Sequence, residues 1–262
     1  MPPEKPLFTG VVVVAIANPI VRRALGDAFR QRGADELAEI SDYEVLRQTM
    51  KSAVVDMLVL DDNLSEQYTG DIIKDIRRGD LHEHPFTLII ALAHRQEEKD
   101  LRELIDAGPD AIVLTPVSVA ALTQKIDSLA AGRKQFVVTR DYIGPDRRSS
   151  QRAGAAPALT LEAPNPLEAG FDRGNFHAAL DKAKADLKVK KTECALGQLA
   201  WAMKSGNASD LAELIPLVEQ LVETAPNPKF KAAATGLVNS MREENKKEIM
   251  GWCSKLLAAS KV

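Results

Sequence analysis

The chain has little of what marks disulfide-rich, membrane-spanning or secreted proteins. It contains 2 cysteines in 262 residues, and neither has a second Cys or a His at metal-ligand spacing. No apolar run approaches the roughly 18 residues that a membrane-spanning helix needs. The amino terminus also lacks the basic-then-apolar order of a signal peptide, so we expect a cytoplasmic protein.

Strong net charge is also missing. The formal net charge of -3 gives no general attraction to nucleic acid, although it leaves room for a locally basic surface. Hydrophobic residues form 45% of the chain, which is enough for ordinary packed cores. The length of 262 residues predicts about two domains.

The first half of the sequence alternates apolar runs with amphipathic stretches. This order predicts an α/β fold, a five-stranded parallel doubly wound sheet of the flavodoxin-like type with helices on both faces. Ser41 with Glu44 predicts a capping box at the second helix, while Gly33 and Gly108 predict two helix ends. The predicted strands are Val11–Ala15, Glu36–Ile40, Met57–Asp61, 87–92 and 111–115, and the predicted helices lie near 19–32, 42–53, 67–78, 95–107 and 118–131.

The alternation stops after residue 131. Residues 132–174 are rich in Gly, Pro, Ala, Ser and Thr, which predicts a mobile linker that proteases cut first. Helical periodicity then returns and predicts a small all-α bundle over 175–262, with helices near 175–204, 208–224 and 229–258. The predicted domains are therefore 9–131, the linker 132–174, and 175–262.

Several short motifs follow one another along the first half of the chain. Val11–Ala15 leads through Ile16 and Ala17 to an Asn-Pro step and an Arg-bearing helix, the third strand ends in Asp-Asp-Asn-Leu, and the fifth ends in Thr-Pro. In this order they resemble the response-regulator receiver domain, of the chemotaxis-regulator type. The resemblance implies a phosphoacceptor at Asp61. Asp62 is the alternative, because Gly70 stands at the family's usual distance from it.

The resemblance also implies that the phosphorylation pocket is degenerate. In the family, an acidic pair before the Asn-Pro step holds Mg²⁺; here that pair is Ile16 and Ala17. Leu92 replaces the hydroxyl residue of the fourth strand, and Thr115 replaces the lysine of the fifth. Each lost group would supply about 2–4 kcal/mol of transition-state stabilisation. We therefore predict a pseudo-receiver without a cofactor or bound metal and with little or no metal-dependent aspartyl phosphorylation.

Residues 142–148, Tyr-Ile-Gly-Pro-Asp-Arg-Arg, resemble a GPDRR signature that follows regulatory domains in some proteobacterial signalling proteins. Arg147 and Arg148 offer planar groups for an anion or a partner carboxylate, although a solvated basic linker is the simpler interpretation. Arg148 and Arg152 also have the RxxxR spacing of one class of cyclic-di-GMP receptors. We treat Arg147, Arg148 and Arg152 as candidate anion or partner contacts.

The sequence thus favours an atypical two-component phosphorelay protein that acts by protein–protein interaction. We expect it not to be an enzyme, because no nucleophile–base pair, metal cluster or phosphate-cradling glycine loop stands out. The expected partners are a histidine kinase, another regulator or a polar or motility complex. The alternative is a DNA-binding transcriptional regulator whose helical domain presents a basic recognition helix.

Overall fold

A computed structural model describes residues 10–34, 36–62, 64, 68–94, 97–148, 159–168, 172–205, 214–223, 225, 227–243 and 245–259. The chain divides into two compact units, Met1–Asp186 and Leu187–Val262. The first unit contains hydrophobic clusters on both faces of a sheet, and the second has a cluster of its own.

A five-stranded parallel sheet forms the centre of the first unit, in the order β2-β1-β3-β4-β5. The predicted α/β fold is confirmed, and the element ends differ from the predicted ones by a few residues at most. The strands are β1 Val11–Ala15, β2 Glu36–Ile40, β3 Met57–Asp61, β4 Leu88–Ala93 and β5 Ala111–Leu114. The helices are α1 Pro19–Gln31, α2 Tyr43–Ser52, α3 Thr69–Arg78, α4 Glu98–Ala107 and α5 Val119–Ala131.

Strand β1 shows why the apolar runs of the sequence are continuous rather than alternating. Val13 and Ala15 pack into a cluster with residues of α2, α3 and α4. Val12 and Val14 point the other way, into a cluster with residues of α1 and α5. Because helices cover both faces of the sheet, every position of a central strand is buried and favours an apolar residue.

The helix ends follow the predictions with one exception. The cap of α2 is Asp42 and not Ser41, because Asp42 Oδ1 accepts hydrogen bonds from the backbone N–H groups of Glu44 at 2.8 Å and Val45 at 3.1 Å. Aspartate caps as well as serine does, so the sequence pattern left the position uncertain by one residue. Gly33 and Gly108 follow α1 and α4 with φ of 85° and 92°, in the left-handed region.

The segment predicted as a linker contains a second, antiparallel sheet among its described residues. Strand β6 (Phe136–Val138) pairs with β7 (Ile143–Pro145) on one side and with β8 (Leu159–Leu161) on the other. Three-residue strands are too short to be recognised from hydrophobic periodicity, which explains why the sequence did not predict them. The first compact unit accordingly continues well beyond α5.

Helix α6 (Arg173–Ser205) begins in the first unit, and the second unit is helical, as predicted. The helix predicted over 229–258 is two helices in the structure. Asn227 caps the first of them by accepting a hydrogen bond from the Phe230 N–H at 2.8 Å. None of the helices in the described ranges is long and apolar enough to cross a membrane. The helices after α6 are α7 Ile215–Glu223, α8 Pro228–Arg242 and α9 Lys246–Ala259.

Candidate functional site at the carboxyl edge of the sheet

The predicted site residues meet at the carboxyl edge of the parallel sheet. Strands β3 and β4 are paired so that Asp61 lies opposite Leu92, and the chain leaves β1 through Ile16 at the same edge. Neighbouring parallel strands end together, so residues that follow different strands become neighbours. An open, mainly apolar cavity of about 390 Å³ lies here, and its lining includes four of the predicted residues: Ile16, Asp61, Leu92 and Thr115.

Asp61 is buried, with 2% of its surface exposed. Its Oδ2 accepts a hydrogen bond from the Ala17 N–H at 3.3 Å, and its Oδ1 lies 3.0 Å from His94 Nδ1. Its carbonyl oxygen accepts a hydrogen bond from the Thr69 hydroxyl at 3.1 Å. The carboxylate is therefore held in one orientation by contacts on both of its oxygens.

The residues in place of the acidic pair do not fit the Mg²⁺ site of the family. Mg²⁺ prefers oxygen ligands, and the Ile16 and Ala17 side chains have none. The Ile16 side chain is buried in the same apolar cluster as Leu92. The backbone carbonyls of Ile16 and Ala17 accept hydrogen bonds from Arg22 Nη1 at 2.6 and 3.2 Å, so a guanidinium cation already lies against both oxygens.

Leu92 and Thr115 are the other two positions that the family resemblance predicts to be replaced. The Leu92 side chain is buried and has no hydroxyl to donate to a phosphoryl oxygen. Thr115 is uncharged, and its hydroxyl donates a hydrogen bond to the Ala93 carbonyl at 3.2 Å. The peptide bond from Thr115 to Pro116 is cis. At this edge Asp61 therefore lies close to the apolar side chains of Ile16 and Leu92.

His94 is a member of this site that the sequence analysis missed. Its Nδ1 lies 2.6 Å from Asp62 Oδ1, and its backbone N–H donates to Asp62 Oδ2 at 2.8 Å. Asp61, Asp62 and His94 thus form a cluster whose candidate ligand atoms all lie within 4.8 Å of one another. The signal was available, because His94 directly follows β4 just as Asp62 directly follows β3.

The predicted anion contacts of the tail lie elsewhere and bind within the chain. Arg147 Nη2 donates to the carbonyl of Pro109, at the amino end of β5 and thus at the opposite edge of the sheet from Asp61. Arg148 pairs with Asp146 through Nε and Nη2 at 2.9 and 2.7 Å. Hydrogen bonds from the Arg148 side chain lower the pKa of Asp146 to about 2. Arg152 lies outside the described residues.

A buried charge cluster joins this tail to the sheet. Asp110 Oδ2 lies 2.8 Å from Arg77 Nη2, and Asp110 Oδ1 lies 2.8 Å from Arg133 Nε. Burial alone would raise the pKa of Asp110, but the charges of Arg133 and Arg77 outweigh it and hold the pKa below its ordinary value. Burial lowers the pKa of Arg77 to about 10, so this guanidinium stays protonated at neutral pH.

A protein-family comparison identifies the part of the chain that contains the parallel sheet. The family model of the response regulator receiver domain matches residues 12–127. Residues 12–127 are a receiver domain. The predicted family is thereby confirmed, and the match covers less than half of the chain. Among curated proteins, none matches this chain.

Three solved structures that resemble this receiver domain are matched over almost their whole length. The receiver domain of the TMAO respiratory system response regulator TorR is 22% identical, with a TM-score of 0.40, over 46% of this chain and 95% of that one. Chemotaxis response regulator CheY4 of Vibrio cholerae is 17% identical, with a TM-score of 0.41, over 46% and 98%. A response regulator from Thermotoga maritima is 18% identical, with a TM-score of 0.41, over 47% and 99%.

The match of residues 12–127 to the response regulator receiver domain supports a part in two-component signalling. Receiver domains are signalling modules that interact with histidine kinases or other signalling proteins. The degenerate character of this pocket and the signalling role of the GPDRR tail stay predictions.

Proposed function

We propose that the chain is a pseudo-receiver that signals by binding other proteins and not by metal-dependent phosphorylation of Asp61. The observation that carries the proposal is the surroundings of Asp61. Its carboxylate is fixed by Ala17 and His94 and faces a cavity lined by apolar side chains such as Ile16 and Leu92. A phosphoryl group on Asp61 would bring negative charge into this environment.

The size of the missing stabilisation supports this proposal. Phosphoryl transfer depends mainly on positioning and on neutralising the charge of the transferred group. Each removed group of this kind costs about 2–4 kcal/mol, which is about 30- to 900-fold in rate. The acidic pair, the hydroxyl and the lysine are all replaced, at Ile16, Ala17, Leu92 and Thr115. Their combined loss makes Asp61 a very poor acceptor.

An exposed apolar rim supports the second half of the proposal, that the domain binds a protein partner. Ile20 in the first turn of α1 is 79% exposed, and Val119 at the start of α5 is 41% exposed. Both lie within two residues of positions that line the cavity, Asn18 and Val117. Exposed apolar side chains beside a cavity are a common feature of binding surfaces. The partner would be a histidine kinase or another regulator, and the chain would not act as an enzyme.

The first test is incubation of the full chain with acetyl phosphate, with and without Mg²⁺, followed by intact-protein mass spectrometry. We expect no Mg²⁺-dependent adduct, because the side chains of Ile16 and Ala17 offer no oxygen ligand to Mg²⁺. The Asp61→Ala and Asp62→Ala variants form a matched pair of controls for acceptor identity. An adduct that needs Mg²⁺ and disappears in Asp61→Ala would overturn the proposal and establish a phosphorylation switch.

The second test concerns the binding surface. Once a partner has been captured with the full chain, we expect Ile20→Asp to weaken its affinity at least about tenfold, because a charge on an interface core residue is desolvated without compensation. Asp61→Asn should change the affinity less than about twofold. Surface plasmon resonance with purified partner measures both. Weakening by Asp61→Asn with no effect of Ile20→Asp would place recognition at the acceptor position instead.

A further inference from the structure

A further cavity lies beside β5, the edge strand of the parallel sheet. Its volume is about 430 Å³, within the roughly 300–1,000 Å³ that is usual for small-molecule sites. Residues of α4, β5 and α5 form most of its lining, together with residues of the segment that follows α5. It shares no lining residue with the cavity at Asp61, so it is a separate candidate site.

Part of this lining is an apolar wall. Every lining residue that comes from α4 or β5 has an apolar side chain, and these five residues are Leu101, Ile105, Ala111, Ile112 and Leu114. Leu114 is 50% exposed, and the other four are buried or half-buried. A flat ring that packs on such a wall is removed from water on one face, which favours binding.

Three cations also line the cavity, Lys125 on α5 and Lys134 and Arg147 in the segment after α5. Among the described residues, neither lysine has a carboxylate as an ion-pair partner. The charge of Lys134 acts on Asp146, but Arg148 binds that carboxylate at 2.7 Å. Both lysines are exposed, so their charges stay available to a ligand.

The single carboxylate among the described lining residues is that of Asp110, and it is already neutralised. Arg77 Nη2 and Arg133 Nε each lie 2.8 Å from one of its oxygens. Asp110 therefore does not offset the three cations of the lining. The cavity is a positively charged site in a chain whose net charge is -3.

Arg147 has only neutral partners in the described part of the chain. Its Nη2 donates to the carbonyl of Pro109, and its guanidinium lies close to the Tyr142 hydroxyl. Its Nε is buried and has no hydrogen-bond partner among the described residues. A buried donor without an acceptor is unfavourable, and an anion against this guanidinium would supply an acceptor and balance its charge.

We propose that this cavity binds a nucleoside phosphate, with the base against the apolar wall and the phosphates against Lys125, Lys134 and Arg147. Three cations in one cavity suit a polyphosphate, because it concentrates several negative charges on one small group. A nucleoside joins that group to a flat ring, which matches the apolar wall beside the cations. The site involves neither Asp61 nor the rim at Ile20, so it goes beyond the proposed function.

The test is isothermal titration of the full chain with ATP and with GTP, and separately with adenosine and with inorganic pyrophosphate. We expect one nucleotide per chain, bound at least about tenfold more tightly than adenosine or pyrophosphate alone. The double variant Lys125→Gln, Lys134→Gln should lower the nucleotide affinity at least about tenfold, since each lysine loses a charged contact with phosphate. Lys51→Gln is the matched control, an exposed lysine of α2 outside the lining, and should bind like the unchanged protein.

Leu114→Ser separates the two halves of the site. It shortens a half-exposed side chain of the apolar wall, so it should weaken nucleotide binding and leave pyrophosphate binding unchanged, while circular dichroism confirms that each variant is folded. The inference is overturned if neither nucleotide binds, if the lysine double variant binds as tightly as the unchanged protein, if pyrophosphate binds as tightly as the nucleotides, or if a tetraglutamate peptide competes equally. No phosphodonor chemistry at Asp61 is involved, so the outcome is separate from that of the acetyl phosphate experiment.

Discussion

Replacing Asp110 with asparagine is expected to lower the free energy of unfolding of the first unit by about 3–5 kcal/mol. Asparagine keeps the size of the side chain but removes the charge that two buried guanidinium groups share. The side chains of Arg77, Asp110 and Arg133 are only 1–2% exposed, so solvent cannot replace the lost partner. The Ile89 N–H, which donates to Asp110 Oδ2 at 2.8 Å, would also lose a charged acceptor.

Urea unfolding followed by circular dichroism measures the global effect. Hydrogen exchange of residues 133–148 measures the local one, because Arg133 belongs to the tail that the cluster holds. The matched control is Asp127→Asn, which removes a half-exposed pair with Arg32 and should cost less than about 1 kcal/mol. Equal losses in Asp110→Asn and Asp127→Asn would show that the buried cluster does not stabilise the unit.

The same cluster gives the stability a defined pH dependence. Arg133 and Arg77 hold the pKa of Asp110 below its ordinary value, so the folded state favours the ionised carboxylate. Its contribution is fully present above the unfolded-state pKa of about 3.9 and is lost as the pH falls through the lower folded-state pKa. Unfolding curves should therefore differ most between wild type and Asp110→Asn at neutral pH and converge in strong acid.

Replacing Phe136 with alanine is expected to cost about 3–5 kcal/mol as well. The ring is fully buried and packs against Phe86 with their centroids 5.6 Å apart. The guanidinium carbons of Arg77 and Arg133 each lie 5.0 Å from its centroid, so the ring also carries cation–π contacts. Alanine would leave a cavity and expose one side of two buried charges.

A conservative variant and a double variant sharpen this second measurement. Phe136→Leu retains most of the apolar volume, so it should lower the free energy of unfolding clearly less than Phe136→Ala does. The loss that is still seen in Phe136→Leu then reports mainly on the cation–π contacts. Combined with Asp110→Asn, Phe136→Ala should cost less than the sum of the single losses, since both act on Arg77 and Arg133. Strict additivity would mean that the ring and the carboxylate stabilise the unit independently.

The fold and half of the site were predictable for the same physical reason. Continuous apolar runs indicate strands buried on both faces, and the ends of such strands meet at one edge. Ile16, Asp61, Leu92 and Thr115, which the family resemblance named, line one cavity at that edge, and their roles stay predictions. The family resemblance assigns no role to His94. The strand-end argument applies to His94 equally well.

The charge cluster could not be predicted from the sequence by any pattern of this kind. Arg77 and Arg133 lie 33 and 23 residues from Asp110 along the chain, and no helix or strand period links such separations. Strands β6, β7 and β8 have three residues each, too few for a period to be measured. Gly, Pro and Ser are common both in linkers and in the turns of folded segments. Composition alone therefore could not distinguish a linker from this small sheet.

The second sheet changes how this receiver domain should be cut from the chain for study. A fragment that stops at residue 131, near the end of the family match, would lack Arg133 and Phe136. Asp110 would then neutralise a single guanidinium, and Phe86 would lose an aromatic neighbour that lies 5.6 Å away. We therefore expect a receiver fragment that extends through β8 to be more stable to urea than one that ends at residue 131, because β6 and its partner strands β7 and β8 stay together in it.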